Sequence, residues 1–210
     1  CLSDWSSDVC SSDLDHEQHS CVALLEITDA CNLECSICYA ESGPKRAHFR
    51  DLDEIERMLD ALVGNEGRPD VVQISGGEPT IHPLFFEILD LCRARPIKHL
   101  MLNTNGLRIA NEPGFAEKLA AYAPGFEIYL QFDSLRADPI RALRGADLLD
   151  IRHRTLAKLN ALNLSTTLVC TLKKGLNDGE LGAIVDFALT QRCVRGVTLQ
   201  PIQHAGRSEN

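Results

Sequence analysis

The chain of 210 residues contains no apolar run close to the ~20 residues that a membrane-crossing helix needs; its longest apolar stretches have the length of strands. No segment therefore reads as a transmembrane span. A basic surplus is also lacking. Against 21 Lys and Arg stand 30 Asp and Glu, a net charge of −9 that offers no nucleic-acid surface. Five of those nine negative charges come from residues 1–20, which hold Asp4, Asp8, Asp13, Asp15 and Glu17 and no Lys or Arg. The same stretch has no initiating Met and no basic segment of the kind that opens a signal peptide, and it repeats Ser-Ser-Asp. It reads as a non-native or disordered acidic tail, which sets Cys1 and Cys10 aside and leaves residues 21–210 as the folded domain. A disulfide framework is missing too: Cys92, Cys170 and Cys193 lie singly in apolar helix or strand surroundings, where a buried free thiol is the usual state.

What is present is ordinary in bulk and informative in pattern. With 44% apolar and 24% charged residues, the chain is long enough to bury one domain's core. From residue 21, strand-like and helix-like segments alternate with a period near thirty residues, the size of a βαβ repeat. The strands read as Val22–Thr28, Val71–Ser75, His99–Asn103, Glu127–Asp133, Ser165–Leu172 and Gly196–Ile202. Asp51 to Glu54 form a capping pattern ahead of Leu52, Ile55, Leu59 and Leu62 at helical spacing. Pro83 opens a helix with Leu84, Ile88 and Leu91 on one face, Leu148 to Leu162 mark another, and Asn177 with Glu180 caps a further one. The expected architecture is α/β, a parallel sheet of six units that makes a partial barrel, because the eight-unit form typically needs ~250 residues.

The chemistry concentrates in Cys31-Asn32-Leu33-Glu34-Cys35-Ser36-Ile37-Cys38, a C-x3-C-x2-C spacing that offers three thiolates and no fourth. A structural zinc site closes with four protein ligands, for which His48 is a candidate fourth. Three cysteines on a [4Fe–4S] cluster instead leave one iron open to a further ligand. The cysteine run follows the first strand, and the second strand ends in Ser75-Gly76-Gly77-Glu78-Pro79. Together these motifs resemble the radical S-adenosylmethionine (SAM) enzymes, over nearly all of residues 21–207. The resemblance implies the family's partial (βα)6 barrel, a [4Fe–4S] cluster on Cys31, Cys35 and Cys38, and SAM bound to the open iron. It further implies that Ile37 touches the adenine, and that Gly76, Gly77, Glu78 and Pro79 form the turn holding the SAM amino group.

Barrel active sites collect at the carboxyl ends of strands, and four sets of polar residues stand there. Thr104 and Asn105, in Asn103-Thr104-Asn105-Gly106, read equally as a turn and as SAM contacts. Gln131 and Asp133 alternate onto one face at the end of the fourth strand, and the resemblance implies that this strand end meets the SAM ribose or carboxylate; internal hydrogen bonding is the alternative. Thr198 and Gln200 share a face of the last strand, where Gln200 reads equally as directed at the barrel mouth and as making a strand-end hydrogen bond, and Pro201 ends the pairing. Lys173 and Lys174 read as a solvated turn, and His82 as a helix-entry residue.

By resemblance the enzyme cleaves SAM reductively to a 5′-deoxyadenosyl radical that takes hydrogen from a small-molecule or lipid substrate. A low-potential electron donor and a reducing, cytoplasmic compartment go with that chemistry. The segments 131–135, 143–149, 172–178 and 194–207 resemble the pterin-methylating and tetraether-lipid-forming branch, so methylation or C–C bond formation is expected. Gly175 to Asp178 also resemble molybdenum-cofactor and peptide-modifying enzymes of the superfamily. No cysteine-rich segment beyond the core motif is present, and the chain reads as a core truncated after its sixth strand. A zinc-binding interaction module is the non-enzyme alternative.

Overall fold

In the computed structural model the described residues are 20–203 and 205–208; the acidic tail, with Cys1 and Cys10, lies outside them. Six parallel strands form one open sheet in sequence order: β1 (Val22–Thr28), β2 (Val71–Gly76), β3 (His99–Thr104), β4 (Phe126–Gln131), β5 (Thr166–Leu172) and β6 (Val194–Pro201). Helices fill the connections: α1 (Leu52–Glu66), α2 (Phe85–Arg93), α3 (Leu107–Asn111), α4 (Phe115–Ala120), α5 (Ala137–Arg144), α6 (Leu149–Leu162) and α7 (Leu181–Thr190). This is the expected partial barrel. No helix among the described residues is long and apolar enough to cross a membrane.

The strands alternate because one face must leave water. Ile27, Val72, Ile74, Leu100, Leu102, Ile128, Leu130 and Leu168 are fully buried in the main core, each burial being worth roughly 1.5–3 kcal/mol. The opposite face carries Ser75, Asn103, Tyr129, Gln131 and Gln200, joined by hydrogen bonds. Polar chemistry is thereby confined to the concave side. Cys92, Cys170 and Cys193 are buried free thiols, as their surroundings imply.

Helix α1 starts where its cap places it: Asp51 accepts from Glu54 N at 2.7 Å. The reciprocal half of the capping box does not form, because the Glu54 carboxylate pairs with Arg50. On α2 the buried face is Phe85, Ile88, Leu89 and Cys92, while Leu84 precedes the helix and is exposed and Leu91 is half-buried. The helix begins two residues past Pro83, which rotates the expected face. His82 does act at the entry, its Nδ1 accepting from Leu84 N at 3.1 Å.

Two more expectations need correcting. Asn177 caps no helix; its side chain ties Asp133 O, Thr171 O and Lys173 N together, and Glu180 takes the hydroxyl of Ser134. Strand β4 stops at Gln131. Phe132 N and Asp133 N both donate to Val169 O, and Asp133 turns to φ +70°, so alternation no longer relates it to Gln131. At the other edge β6 begins at Val194, and the ladder outlasts Pro201 because Ile202 N donates to Leu172 O at 3.1 Å.

Candidate functional site

The cysteine loop leaves β1 through Thr28, whose hydroxyl accepts from Ala30 N and donates to His48 O. Three separate elements then fix it. The turn after β2 lies directly under its start, with Gly77 N donating to Thr28 O at 2.8 Å and Glu78 N to Ala30 O at 2.9 Å. A Cβ at Gly77 would sit 2.0 Å from Ala30 O, and one at Gly76, where φ is +119°, 2.2 Å from Thr28 O. These glycines are required by the approach of two backbones, a reason the sequence reading had assigned to SAM alone. The second element is the C-terminal end of α5, whose open carbonyls at Ala142 and Leu143 take Ser36. The third is the segment after β6: Cys38 and Arg207 exchange backbone hydrogen bonds at 2.8 and 2.9 Å, and Gly206 packs so closely that a Cβ would lie 2.3 Å from Tyr39 O. That bridge joins the two edges of the open sheet above the barrel mouth.

A cavity of about 520 Å³, within the usual range for small-molecule sites, opens at the carboxyl ends of the strands. Cys31, Cys35 and Cys38 line it, and so do Ile37, Gly76, Gly77, Glu78, Thr104, Asn105, Gln131 and Gln200. Asp133 and Pro79 do not. Asp133 is fully buried beneath the wall, and Pro79 begins a buried 3-10 turn. His48 is exposed and outside the lining, so it is not placed as a fourth zinc ligand. Among the described residues no set of three or more His, Cys, Asp or Glu is gathered tightly enough to hold a metal ion as it stands. Burial pushes the Cys31 thiol up to about 12, against the pull of the Leu33 N–H.

Two carboxylates anchor the walls, and neither faces the cavity freely. Glu78 accepts from Thr80 N and Oγ1, Thr104 Oγ1 at 2.7 Å and Asn105 N at 2.8 Å. Burial raises its pKa against those four bonds. Thr104 and Asn105 are thus spent on structure: the Asn105 side chain donates to Asn32 Oδ1 in the cysteine loop and accepts from Leu107 N. Asp133 is gripped by Arg144 through Nε at 2.7 Å and NH2 at 2.5 Å, with Thr171 N at 3.2 Å. Burial alone would raise it, but the Arg144 guanidinium and, secondarily, Arg152 bring it below the usual carboxylate value. Arg144 is held above its usual value by Asp133 despite its own burial.

Sequence reasoning missed Arg144. It lines the cavity, donates to Gln131 Oε1 at 2.9 Å and Thr171 Oγ1 at 3.0 Å, and points NH1 at the Cys35 sulfur, 4.0 Å away. The available signal was Arg144-Gly145 closing a helix: a Cβ at Gly145, where φ is +72°, would lie 2.8 Å from Glu34 O. Asn103 and Tyr39 were also missed; Tyr39, Ser75, Asn103, Gln131 and Arg144 form one hydrogen-bonded belt across the concave face. Gln200 does reach the mouth, donating to Tyr129 OH at 3.2 Å.

A family model described as the radical SAM superfamily matches residues 25–188. The chain belongs to the radical SAM superfamily. Members of this superfamily use a [4Fe–4S] cluster together with SAM. Among curated radical SAM relatives, the 7,8-dihydro-6-hydroxymethylpterin dimethyltransferase of Methanocaldococcus jannaschii is 32% identical over 91% of this chain, which covers 38% of that protein. The mycofactocin maturase MftC of Mycobacterium ulcerans is 31% identical over 87% of this chain and is covered over 47% of its length. The chain thus spans less than half of either relative. Among solved structures, Streptococcus suis SuiB bound to S-adenosylmethionine superposes with a TM-score of 0.74 at 18% identity, over 91% of this chain and 44% of that one, a likeness of fold.

Proposed function

We propose that Cys31, Cys35 and Cys38 hold a [4Fe–4S] cluster and that SAM occupies the cavity against its open iron. The observation that carries this is the donor set: among the described residues, three thiols and no other cysteine line one cavity that also contains the Gly76-Gly77 turn. Such a set fits a cluster with one unligated iron better than a closed zinc site. When bound, the pair supplies a reductively formed 5′-deoxyadenosyl radical that abstracts hydrogen from substrate; that chemistry belongs to the cofactors. The chain's own residues bind and orient. The Gly76-Gly77 backbone meets the SAM amino group, with Glu78, which lines the same cavity, fixing that turn from below. Arg144 and Gln131 offer donors to the carboxylate, Ile37 lies against the adenine, and Gln200 closes the mouth. Asp133, removed from the cavity, keeps Arg144 charged and aimed.

The substrate reading is a small heterocycle of the pterin type, methylated or joined by a C–C bond, which the similarity to the pterin dimethyltransferase over 91% of the chain supports. The peptide reading has its own support in the similarity to a mycofactocin maturase. An isoprenoid lipid remains the third substrate to offer. A low-potential electron donor and a reducing cytoplasmic compartment complete the proposal, since three unpaired thiols around one cavity persist only where disulfides do not form.

Anaerobic reconstitution with iron and sulfide tests the core of this. About four iron and four sulfide per chain with a broad charge-transfer band supports it, whereas stoichiometric zinc with no band rejects it in favour of a zinc module. For the substrate, the protein completed by its flanking segments is offered pterin, lipid and peptide. Deuterium arriving in 5′-deoxyadenosine from a labelled pterin is the expected outcome, and transfer from peptide alone overturns the pterin reading.

A further inference from the structure

Arg152 lies on the inner side of α6 and is fully buried. Its NH1 donates to Asn105 O, while its Nε and NH2 are buried with no hydrogen-bond partner. A buried cation with unmatched donors is costly and calls for a reason. The charged groups that face it accept no hydrogen bond from Nε or NH2. Asp133 is the nearest, an ion pair 3.8 Å from NH2 that is too long for a hydrogen bond and is shared with Arg144, which sits closer on both oxygens. Glu78 lies on the far side of the Asn105 peptide, its oxygens used by Thr80, Thr104 and Asn105. Arg144 carries the same sign. Cys35 is also among the groups that act on it electrostatically. Burial pulls Arg152 down to about 10, which still leaves it charged at neutral pH.

Its position points the same way. Leu148, Leu149 and Ile151, the residues just ahead of it, pack with Leu33, Cys31 and Cys35 in a small apolar cluster separate from the main core. Arg152 is absent from the cavity lining, so it stands on the protein side of the cysteine loop with no access to SAM. With both carboxylates ionised, Asp133, Glu78, Arg144 and Arg152 sum to zero. Three thiolates on a [4Fe–4S] core then bring a net charge of −1, which becomes −2 when one electron enters and no proton follows. In a low-dielectric interior a fixed positive charge near that site favours the reduced form.

We propose that Arg152 is a positioning residue that acts through its charge on the cluster at Cys31, Cys35 and Cys38, making the cluster easier to reduce. This rests on the cluster assignment above, and the test separates the two. Wild-type chain, Arg152→Lys, Arg152→Met and the double variant Glu78→Gln/Arg152→Met are reconstituted anaerobically, and iron and sulfide content is measured before any redox work. The reduced fraction is then followed by EPR against redox mediators, with dithionite as the electron source. In Arg152→Met the ratio of reduced to oxidised cluster at a fixed potential should fall about tenfold, a midpoint ~59 mV lower for one electron. Arg152→Lys should restore the wild-type midpoint, and the double variant, which removes a charge of each sign, should lie between. A wild-type chain that takes up no cluster overturns the assignment and this proposal with it. Equal midpoints in wild type and Arg152→Met overturn the proposal alone, as does failure of both Met-containing variants to load while circular dichroism shows them folded, since Arg152 would then be a scaffold element.

Discussion

The two walls of the cavity bury a carboxylate each and treat it in opposite ways. On the β2–β3 side, Glu78 is held by four hydrogen bonds from neutral donors, and burial still raises its pKa. On the β4–α5 side, Asp133 is just as buried but is gripped by a guanidinium, and its pKa falls. Neutral donors recover only part of what a carboxylate loses on leaving water, whereas a paired guanidinium recovers more than all of it. The first wall is therefore made of backbone packing with a strained acid inside it, and the second of an ion pair.

The sharpest way to break the contrast is to remove the cation. Arg144→Met leaves Asp133 buried and without its main partner, a change expected to cost about 3–5 kcal/mol. The pH profile should reverse as well. In the wild type Asp133 has a lowered folded pKa, so its contribution is present above the unfolded value of ~3.9 and is lost as pH falls through the folded one. Without Arg144 burial raises that pKa, and the variant should lose stability as pH rises instead. Thermal unfolding from pH 3 to 8 reads both effects, and a variant with the wild-type acid limb would show that the pair does not govern Asp133.

Gly77→Ala attacks the other wall, where no charge is involved. Its Cβ would meet Ala30 O at 2.0 Å, and backbone cannot yield as a side chain does. A loss of about 1–3 kcal/mol, the usual range for overpacking, should come with impaired cluster loading, because Ala30 adjoins Cys31. A variant that loads the cluster fully and loses only SAM affinity by calorimetry would return the glycine to a purely ligand-facing role.

Much of the first wall was legible and much of the second was not. Cys31 to Cys38 and Gly76 to Glu78 are local runs, each following a strand whose alternation is plain, so spacing alone brings them to the same sheet end. The six strands were readable for the same reason, within two residues at each end. Asp133 was misplaced because nothing in Leu130-Gln131-Phe132-Asp133 signals that the backbone turns to φ +70° two residues early. Arg144 and Arg152 were invisible as site residues because their partners lie 11 to 109 positions away in sequence, and short helices such as α5 carry too little periodicity to be called. Long-range charge pairing leaves no local trace.

Glu78→Gln sharpens the comparison from the acid's side. A raised folded pKa means that the favourable contribution is fully present below the unfolded value of ~4.3 and is lost as pH rises through the folded value. The amide cannot ionise, so the variant should show a flatter stability profile above that window, at a cost of about 1–3 kcal/mol where its NH2 group meets the donors of Thr80 or Asn105. Unfolding by denaturant at pH 4, 6 and 8 checks the slope. A profile as steep as that of the wild type would assign the pH dependence to another group.

The smallest effect is expected at the mouth, where neither wall's packing is at stake. Gln200 is exposed on the edge strand and makes a single side-chain hydrogen bond, to Tyr129 OH at 3.2 Å. Gln200→Ala should change global stability by no more than about 0.5 kcal/mol, as surface replacements generally do, and should leave iron and sulfide content at the wild-type level. If Gln200 closes the mouth over SAM, the same variant should bind SAM several-fold more weakly by calorimetry on the reconstituted protein. Unchanged affinity would confine the residue to bracing Tyr129, and the recognition of SAM would then rest on the two buried walls alone.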